Sequence, residues 1–441
     1  SPIGHRTNVY INMRFLALLL FWLTLRVCQP KRILQNEMFI VPILWHGPNN
    51  QITEIKEALA LSFLLPGSVA VVPNLQEHKF SDGGVHEMFS KELFDIKFLR
   101  SSNATYILLD DLRKAWDGVL DVILFFRDED YPRVGTMVGD MGLKAPDRKQ
   151  WIRSPISVTR GCGQDQVQRL RKMLQPYRYV GMLCYDDFAL QTHKLAGTLL
   201  SNCEGNLCCQ AYKESSVLVR KSPQVSELAQ DYIRKTIGVH RPFIAGHIRP
   251  MPDDCVKFWQ STGELDPIKL LDICRNNYMY DRFVPNLQAL QEEYRTSYVF
   301  IMTHPIIRPR VTQMLKAGGI DPLFIDISDL NASMRAAKRP LRTKLSFSLL
   351  AVVEEAVSAA ATAFVGTAES SMTGMIVQVG GGDLLRSWDR ANEQTTGDAY
   401  PKLVPLGLVS LLVGLERRTS SYFKGAVQSL CRYVNEGGLG S

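Results

Sequence analysis

Short, nearly uninterrupted apolar runs recur along the chain, each closed by turn residues and followed by a segment of helical periodicity. That alternation constrains the fold more than any other feature, because it is the pattern of βαβ units. The first unit runs from an apolar stretch at Glu37–Ile43, through the turn-like Trp45-His46-Gly47-Pro48-Asn49-Asn50-Gln51, to a helical pattern over Ile52–Leu64 and a second strand at Ser68–Val72. Further strand candidates lie at Val119–Phe126, Tyr179–Leu183 and Ser216–Val219, with helices at Gln164–Leu174 and Gln224–Ile237. After Gly238-Val239-His240-Arg241-Pro242 a second series begins. Its strands are expected at Phe243–His247, Tyr298–Met302, Leu323–Ile327 and Ala363–Gly366, and its helices at Pro267–Cys274, Pro309–Ala317 and Ser346–Ala361.

The fold class expected is α/β, with two Rossmann-like domains at 37–238 and 239–435 and a site in the cleft between them. A length of 441 residues suffices for two cores, and 46% hydrophobic with 22% charged residues is ordinary for globular chains. The formal net charge of +7 is modest and the basic residues are scattered, so nucleic acid is not expected as a partner, whereas an anionic small molecule is compatible.

Met13 and Arg14 precede an apolar run from Phe15 to Leu25, which is interrupted by Arg26. This is the layout of a signal peptide at 13–29, too short to span a membrane, with 1–12 as extra leader sequence. The mature chain is therefore expected to lack a membrane span and to occupy the secretory lumen, the endoplasmic reticulum or Golgi. Removing Cys28 with the signal would leave eight of the nine cysteines, an even number that suggests disulfides of unassigned connectivity. Two glycosylation sequons, at Asn103 and Asn331, agree with that compartment. No paired Cys-x-x-Cys set or histidine cluster suggests a metal. Asp128-Glu129-Asp130 has the spacing of a metal signature but reads better as an exposed acidic loop.

Two strand ends carry residues that a core would not choose. His247 and Arg249 follow the apolar run in Phe243-Ile244-Ala245-Gly246-His247-Ile248-Arg249, where a guanidinium could clamp a pyrophosphate. Phe364-Val365-Gly366-Thr367-Ala368-Glu369-Ser370-Ser371-Met372-Thr373-Gly374 runs strand, small-residue turn and helix start, an arrangement that favours anions.

In this combination the chain resembles the GDP-fucose protein O-fucosyltransferase superfamily. The marks are the Gly47-Pro48-Asn49-Asn50-Gln51 loop, the His247-Ile248-Arg249 strand end, the Tyr298-to-His304 strand and the Phe364-to-Met372 turn. The resemblance implies a GT-B fold and metal-independent, inverting transfer of fucose from GDP-fucose to a Ser or Thr hydroxyl. No cofactor is implied beyond the donor substrate. The implied acceptor is a protein, with small disulfide-rich modules as the candidates.

The resemblance also assigns roles. Arg249 would meet the β-phosphate and the departing charge, and Thr367, Ser370, Ser371, Met372 and Gly47 would line the donor site. His247 would lie near the nucleotide, and Asn49 or Asn50 near the sugar and the leaving oxygen. His46 stands where some relatives carry a glutamate, and an imidazole titrating at about 6.5 could accept the acceptor's proton. The chain departs from the pattern at His304, where the family has aspartate, and at Met372, where it has phenylalanine. Two alternatives stay open: a related transferase with another nucleotide-sugar or a glycan acceptor, and a non-catalytic descendant that binds glycan or protein.

Overall fold

In a computed structural model, the described residues are 37–84, 86–102, 104–126, 134–156, 162–183, 203, 205–248, 280–337, 341–366 and 370–380. Among these residues twelve strands are formed: β1 (Met38–Pro42), β2 (Ser68–Val72), β3 (Leu75–Gln76), β4 (Glu87–Met88), β5 (Tyr106–Leu108), β6 (Val122–Phe125), β7 (Trp151–Arg153), β8 (Tyr179–Leu183), β9 (Ile244–His247), β10 (Val299–Met302), β11 (Pro322–Leu323) and β12 (Ala363–Gly366). The main helices are α1 (Pro48–Leu64), α2 (Gln164–Leu174), α3 (Leu207–Ser216), α4 (Pro223–Tyr232), α5 (Tyr280–Tyr294), α6 (Arg308–Ala317), α7 (Ile327–Ala336), α8 (Phe347–Ser358) and α9 (Ser371–Gly380).

Two wholly parallel sheets result, ordered β5-β2-β1-β8-β6-β7 and β11-β10-β9-β12, beside the small antiparallel pair β3-β4. The central strands are apolar at nearly every position because helices cover both faces. In β1, Phe39 and Val41 point to one face and Ile40 to the other, the period of two of a strand. The face bearing Phe39 joins a continuous core with Ala245, Phe300 and Phe364 of the second sheet and with Leu349 and Val353 of α8. The opposite face of the first sheet packs on α1, α2 and α3 through Ala58, Leu170 and Tyr212, and that of the second on α5 and α6 through Leu287 and Val311.

The α/β architecture expected from the alternation is thus present, with two local differences. Ser216–Val219 forms no strand: Ser216 ends α3, which packs along α1, and Val217 is exposed in the turn that follows. Leu323–Ile327 contributes only Leu323 to β11, because Ile327 opens α7 with Asp326 before it. The expected helix Pro267–Cys274 and the signal segment lie outside the described residues. The division at residue 238 falls after the π-helical turn Ile233–Ile237, at a glycine with φ of 105°; we keep it as a proposed domain boundary, since the two sheets share a core. Cys162–Cys208 and Cys203–Cys209 are disulfide-bonded, tying the segment before α2 to α3 and closing a small loop at its start.

Candidate active site at two strand-end crevices

In each sheet the chain leaves a central strand in opposite directions. The reversal lies between β1 and β8 in the first and between β9 and β12 in the second, and open parallel sheets bind ligands outside the carboxyl ends of strands at such points. Every site residue singled out in the sequence that falls within the described set lies at one of these two rims.

At the first rim, β1 runs into a loop that ends at Gly47, the residue preceding α1. The loop is built by side chains of α1 reaching back to backbone groups. Gln51 donates from Nε2 to the carbonyls of His46 (2.7 Å) and Gln76 (3.0 Å), and its Oε1 accepts from the Gln76 amide at 2.7 Å. Glu54 Oε2 accepts from the Trp45 amide at 3.0 Å, and burial raises the Glu54 pKa well above the usual carboxylate range. His46 consequently sits in the left-handed region with φ of 62°, uncommon for a residue with a Cβ, its ring edge-on to Trp45.

Pro48 fits the first helical turn, where its missing N–H removes no bond. Asn49 and Asn50 share that turn. Asn49 is 5% exposed, and its Oδ1 has no hydrogen-bond partner among the described residues. A buried amide oxygen left unpaired costs about 1–3 kcal/mol, so this position is poised to accept a bond from a ligand. A Cβ at Gly47 would stand 2.9 Å from Cδ2 of His78, so glycine lets that ring approach the loop.

At the second rim, His247 ends β9 opposite Gly366 of β12. His247 is buried, and its Nδ1 lies 3.0 Å from Thr373 Oγ1. α9 descends so closely on β12 that a Cβ on Gly366 would stand 2.2 Å from Thr373 Cγ2. Ser370 is buried just before α9 and its carbonyl accepts from the Gly374 amide at 3.0 Å, while Ser371 and Met372 lie half-buried in the helix's first turn. Amides at such an N-terminus, with hydroxyls beside them, suit an anion. Arg249 and Thr367 lie outside the described residues, as does the Asp128-Glu129-Asp130 loop.

Side chains that local sequence did not reveal tie the segment after β3 to the start of α8. Asp82 accepts from the Phe347 amide (2.8 Å) and from the Ser348 amide and hydroxyl (2.9 and 2.6 Å), capping α8 from the segment that follows β3. The His78 amide donates to Ser348 Oγ at 2.8 Å, and Glu92 accepts from the Arg342 and Thr343 amides at 2.9 Å each. These partners are more than 240 residues apart in sequence, and only a lone acidic residue near a helix start could have hinted at them.

Burial lowers the pKa values of His78 and His304, with Asp82 opposing in both cases. The Ser81 amide donates to His78 Nδ1 and the Ile306 amide to His304 Nδ1, each at 3.3 Å. Each Nδ1 therefore carries its lone pair, and the neutral form of each ring has its proton on Nε2. Among the described residues no group of three or more His, Cys, Asp or Glu side chains is placed to hold a metal ion, and no helix is long and apolar enough to cross a membrane.

No protein-family model matches the chain, and no curated protein matches it in sequence. Its structure is similar to that of POFUT1 in complex with GDP-fucose, at 12% identity and a TM-score of 0.49, covering 80% of this chain and 97% of that one. It is similar to NodZ alpha-1,6-fucosyltransferase soaked with GDP-fucose, at 11% identity and a TM-score of 0.37, covering 78% and 92%. A variant of Arabidopsis thaliana FUT1 in complex with GDP is similar at 10% identity and a TM-score of 0.36, covering 86% and 80%. The likeness to each is one of fold.

Proposed function

We propose that the chain is an inverting glycosyltransferase that moves fucose from GDP-fucose to a Ser or Thr hydroxyl of a protein in the secretory lumen. The observation that carries this reading is the pairing of two strand-end rims. One has an anion-favouring helix start beside His247, the other a buried Asn49 Oδ1 without a partner among the described residues, and hydrogen bonds accepted by Asp82 and Glu92 and donated by the His78 amide link the surrounding segments.

In the proposed reaction the acceptor oxygen bonds to the anomeric carbon while the bond from that carbon to the β-phosphate oxygen breaks. The bonding pair leaves with GDP, and the hydroxyl proton passes to a base, for which His46 is the candidate. Arg249, two residues beyond His247, is assigned to the departing diphosphate, whose growing charge most needs compensation. Ser370, Ser371, Thr367, Met372 and Gly47 line the donor site in this reading, and Asn49 or Asn50 meets the sugar or the leaving oxygen. The two disulfides suit an oxidising lumen.

Arg249→Ala should lower transfer by at least about 100-fold while leaving the unfolding midpoint near that of the native protein. Retained turnover would sink the assignment. A second reading, a binding protein that keeps the nucleotide site without turnover, is favoured by the histidine at His304 and the methionine at Met372. Saturable GDP binding with no transfer to any acceptor would support it.

A further inference from the structure

Glu54 lies one turn beyond Asn50 on α1, with its carboxyl group against the loop that carries His46. The side chain is 1% exposed, and its two oxygens are in different states. Oε2 accepts from the Trp45 amide at 3.0 Å, whereas Oε1 is buried without a hydrogen-bond partner. Among the described residues no cation pairs with this carboxyl group, and the charged neighbour that acts on it is a second buried carboxyl, Glu57. An ionised carboxylate here would exchange its hydration for one hydrogen bond and a like charge, a far larger penalty than that of a neutral acid with one unmet hydroxyl. Trp45 immediately precedes His46, whose φ of 62° is uncommon for a residue with a Cβ, so the bond from the Trp45 amide helps to hold that backbone.

Resting on the transferase reading above, in which His46 is the candidate base, we propose that Glu54 is a positioning residue for His46 and acts as a neutral carboxylic acid, accepting at Oε2 and carrying its proton on Oε1. Neutrality suits the reaction. A carboxylate against this loop would repel an incoming diphosphate, and it would favour a charged His46 before any acceptor hydroxyl arrives.

Burial accordingly raises the Glu54 pKa, with the Trp45 amide opposing and Glu57 reinforcing the shift. The titratable side chains in the loop, on α1 and on the elements packed against it are His46, Lys56, Glu57, and Tyr212, Lys213 and Glu214 of α3; β1, β2, β3 and α9 carry none. Above about pH 4.3 the unfolded chain has released the Glu54 proton that the native chain keeps, so this residue's contribution to stability falls as pH rises toward the raised native value.

The test compares the native chain with Glu54→Gln, which keeps an acceptor for the Trp45 amide and a donor in place of the acid proton, and with Glu54→Met, which has similar bulk and no acceptor. Difference infrared spectra at neutral pH should show a carboxylic acid carbonyl band in the native chain that Glu54→Gln lacks. In urea unfolding, the folding constant of Glu54→Gln relative to the native chain should grow about tenfold per pH unit above about pH 5. The NMR signals of the His46 ring, displaced by the edge-on indole of Trp45, should keep their positions in Glu54→Gln and move in Glu54→Met. Turnover of GDP-fucose with water as acceptor should fall at least about tenfold in kcat with little change in KM in Glu54→Met, and Glu54→Gln should restore it. A merely structural glutamate would not give that rescue together with a stability gain that grows with pH. Where Glu54→Met does not fold, the Glu54→Gln comparisons decide. Loss of turnover in Glu54→Gln, its destabilisation at neutral pH, or displaced His46 signals in it overturns the inference. Failure of the native chain to consume GDP-fucose overturns the donor reading, while the infrared, unfolding and NMR comparisons still decide the state of Glu54 and its hold on His46.

Discussion

The two rims present comparable chemistry but are built differently. The first is held by side chains reaching back to backbone: Gln51 and Glu54 pin the loop carrying His46 and Gly47. The second is held by close approach, with α9 resting on Gly366 and Thr373 meeting His247. A rim built from bonds can be loosened by removing one polar group, whereas one built from contact is broken by adding a methyl. The polar rim also leaves a buried oxygen, Asn49 Oδ1, without a partner among the described residues.

The largest effect should come from adding volume at the second rim. Gly366→Ala brings a methyl against Thr373 and Phe364 and should cost about 3 kcal/mol; Thr373→Ala in the same chain should restore most of it, as urea unfolding would show. At the first rim the sensitive change is a deletion. Gln51→Ala removes three hydrogen bonds from a side chain 2% exposed and should cost about 2 kcal/mol. Equal responses to added volume at Gly366 and Gly47 would undo the contrast, because a Cβ at Gly47 meets only the tip of a histidine ring.

A smaller difference separates the rims in pH. The first rim's helix buries Lys56, whose pKa falls from 10.5 to about 7, whereas α9 has no titratable side chain. Between those pH values the unfolded chain binds the proton that the native chain has released, so this lysine makes stability rise with pH. The slope should be about 1 kcal/mol per pH unit and should be absent from Lys56→Met. A parallel pH dependence of unfolding in both proteins would exclude the burial of a neutral lysine.

Much of this was legible in the sequence, for a physical reason. Strands buried on both faces are nearly all apolar, so β1, β2, β8, β9, β10 and β12 stand out, and Gln164–Leu174 and Ala363–Gly366 are bounded as read. The two- and three-residue strands β3, β4, β5, β7 and β11 are too short to carry a period. The Ser216–Val219 run misleads because three consecutive apolar residues can close a helix as readily as form a strand. Of the rim residues, His247 was legible because a polar group at a strand end is unusual and Ser370 because hydroxyls at a helix start suit an anion, whereas Asn49 was reached only through the family resemblance. His78, Asp82 and Lys56 were not legible, since their roles arise only when segments hundreds of residues apart meet.

The central claim, a nucleoside diphosphate-sugar held at these rims, is tested most directly by thermal unfolding of the purified chain with GDP, GDP-fucose, UDP and UDP-glucose, each with and without EDTA. Stabilisation by the GDP compounds that survives EDTA, worth about 2.7 kcal/mol at a hundredfold excess over Kd, is the predicted result. Stabilisation by the UDP compounds alone, or by none of the four, would contradict it.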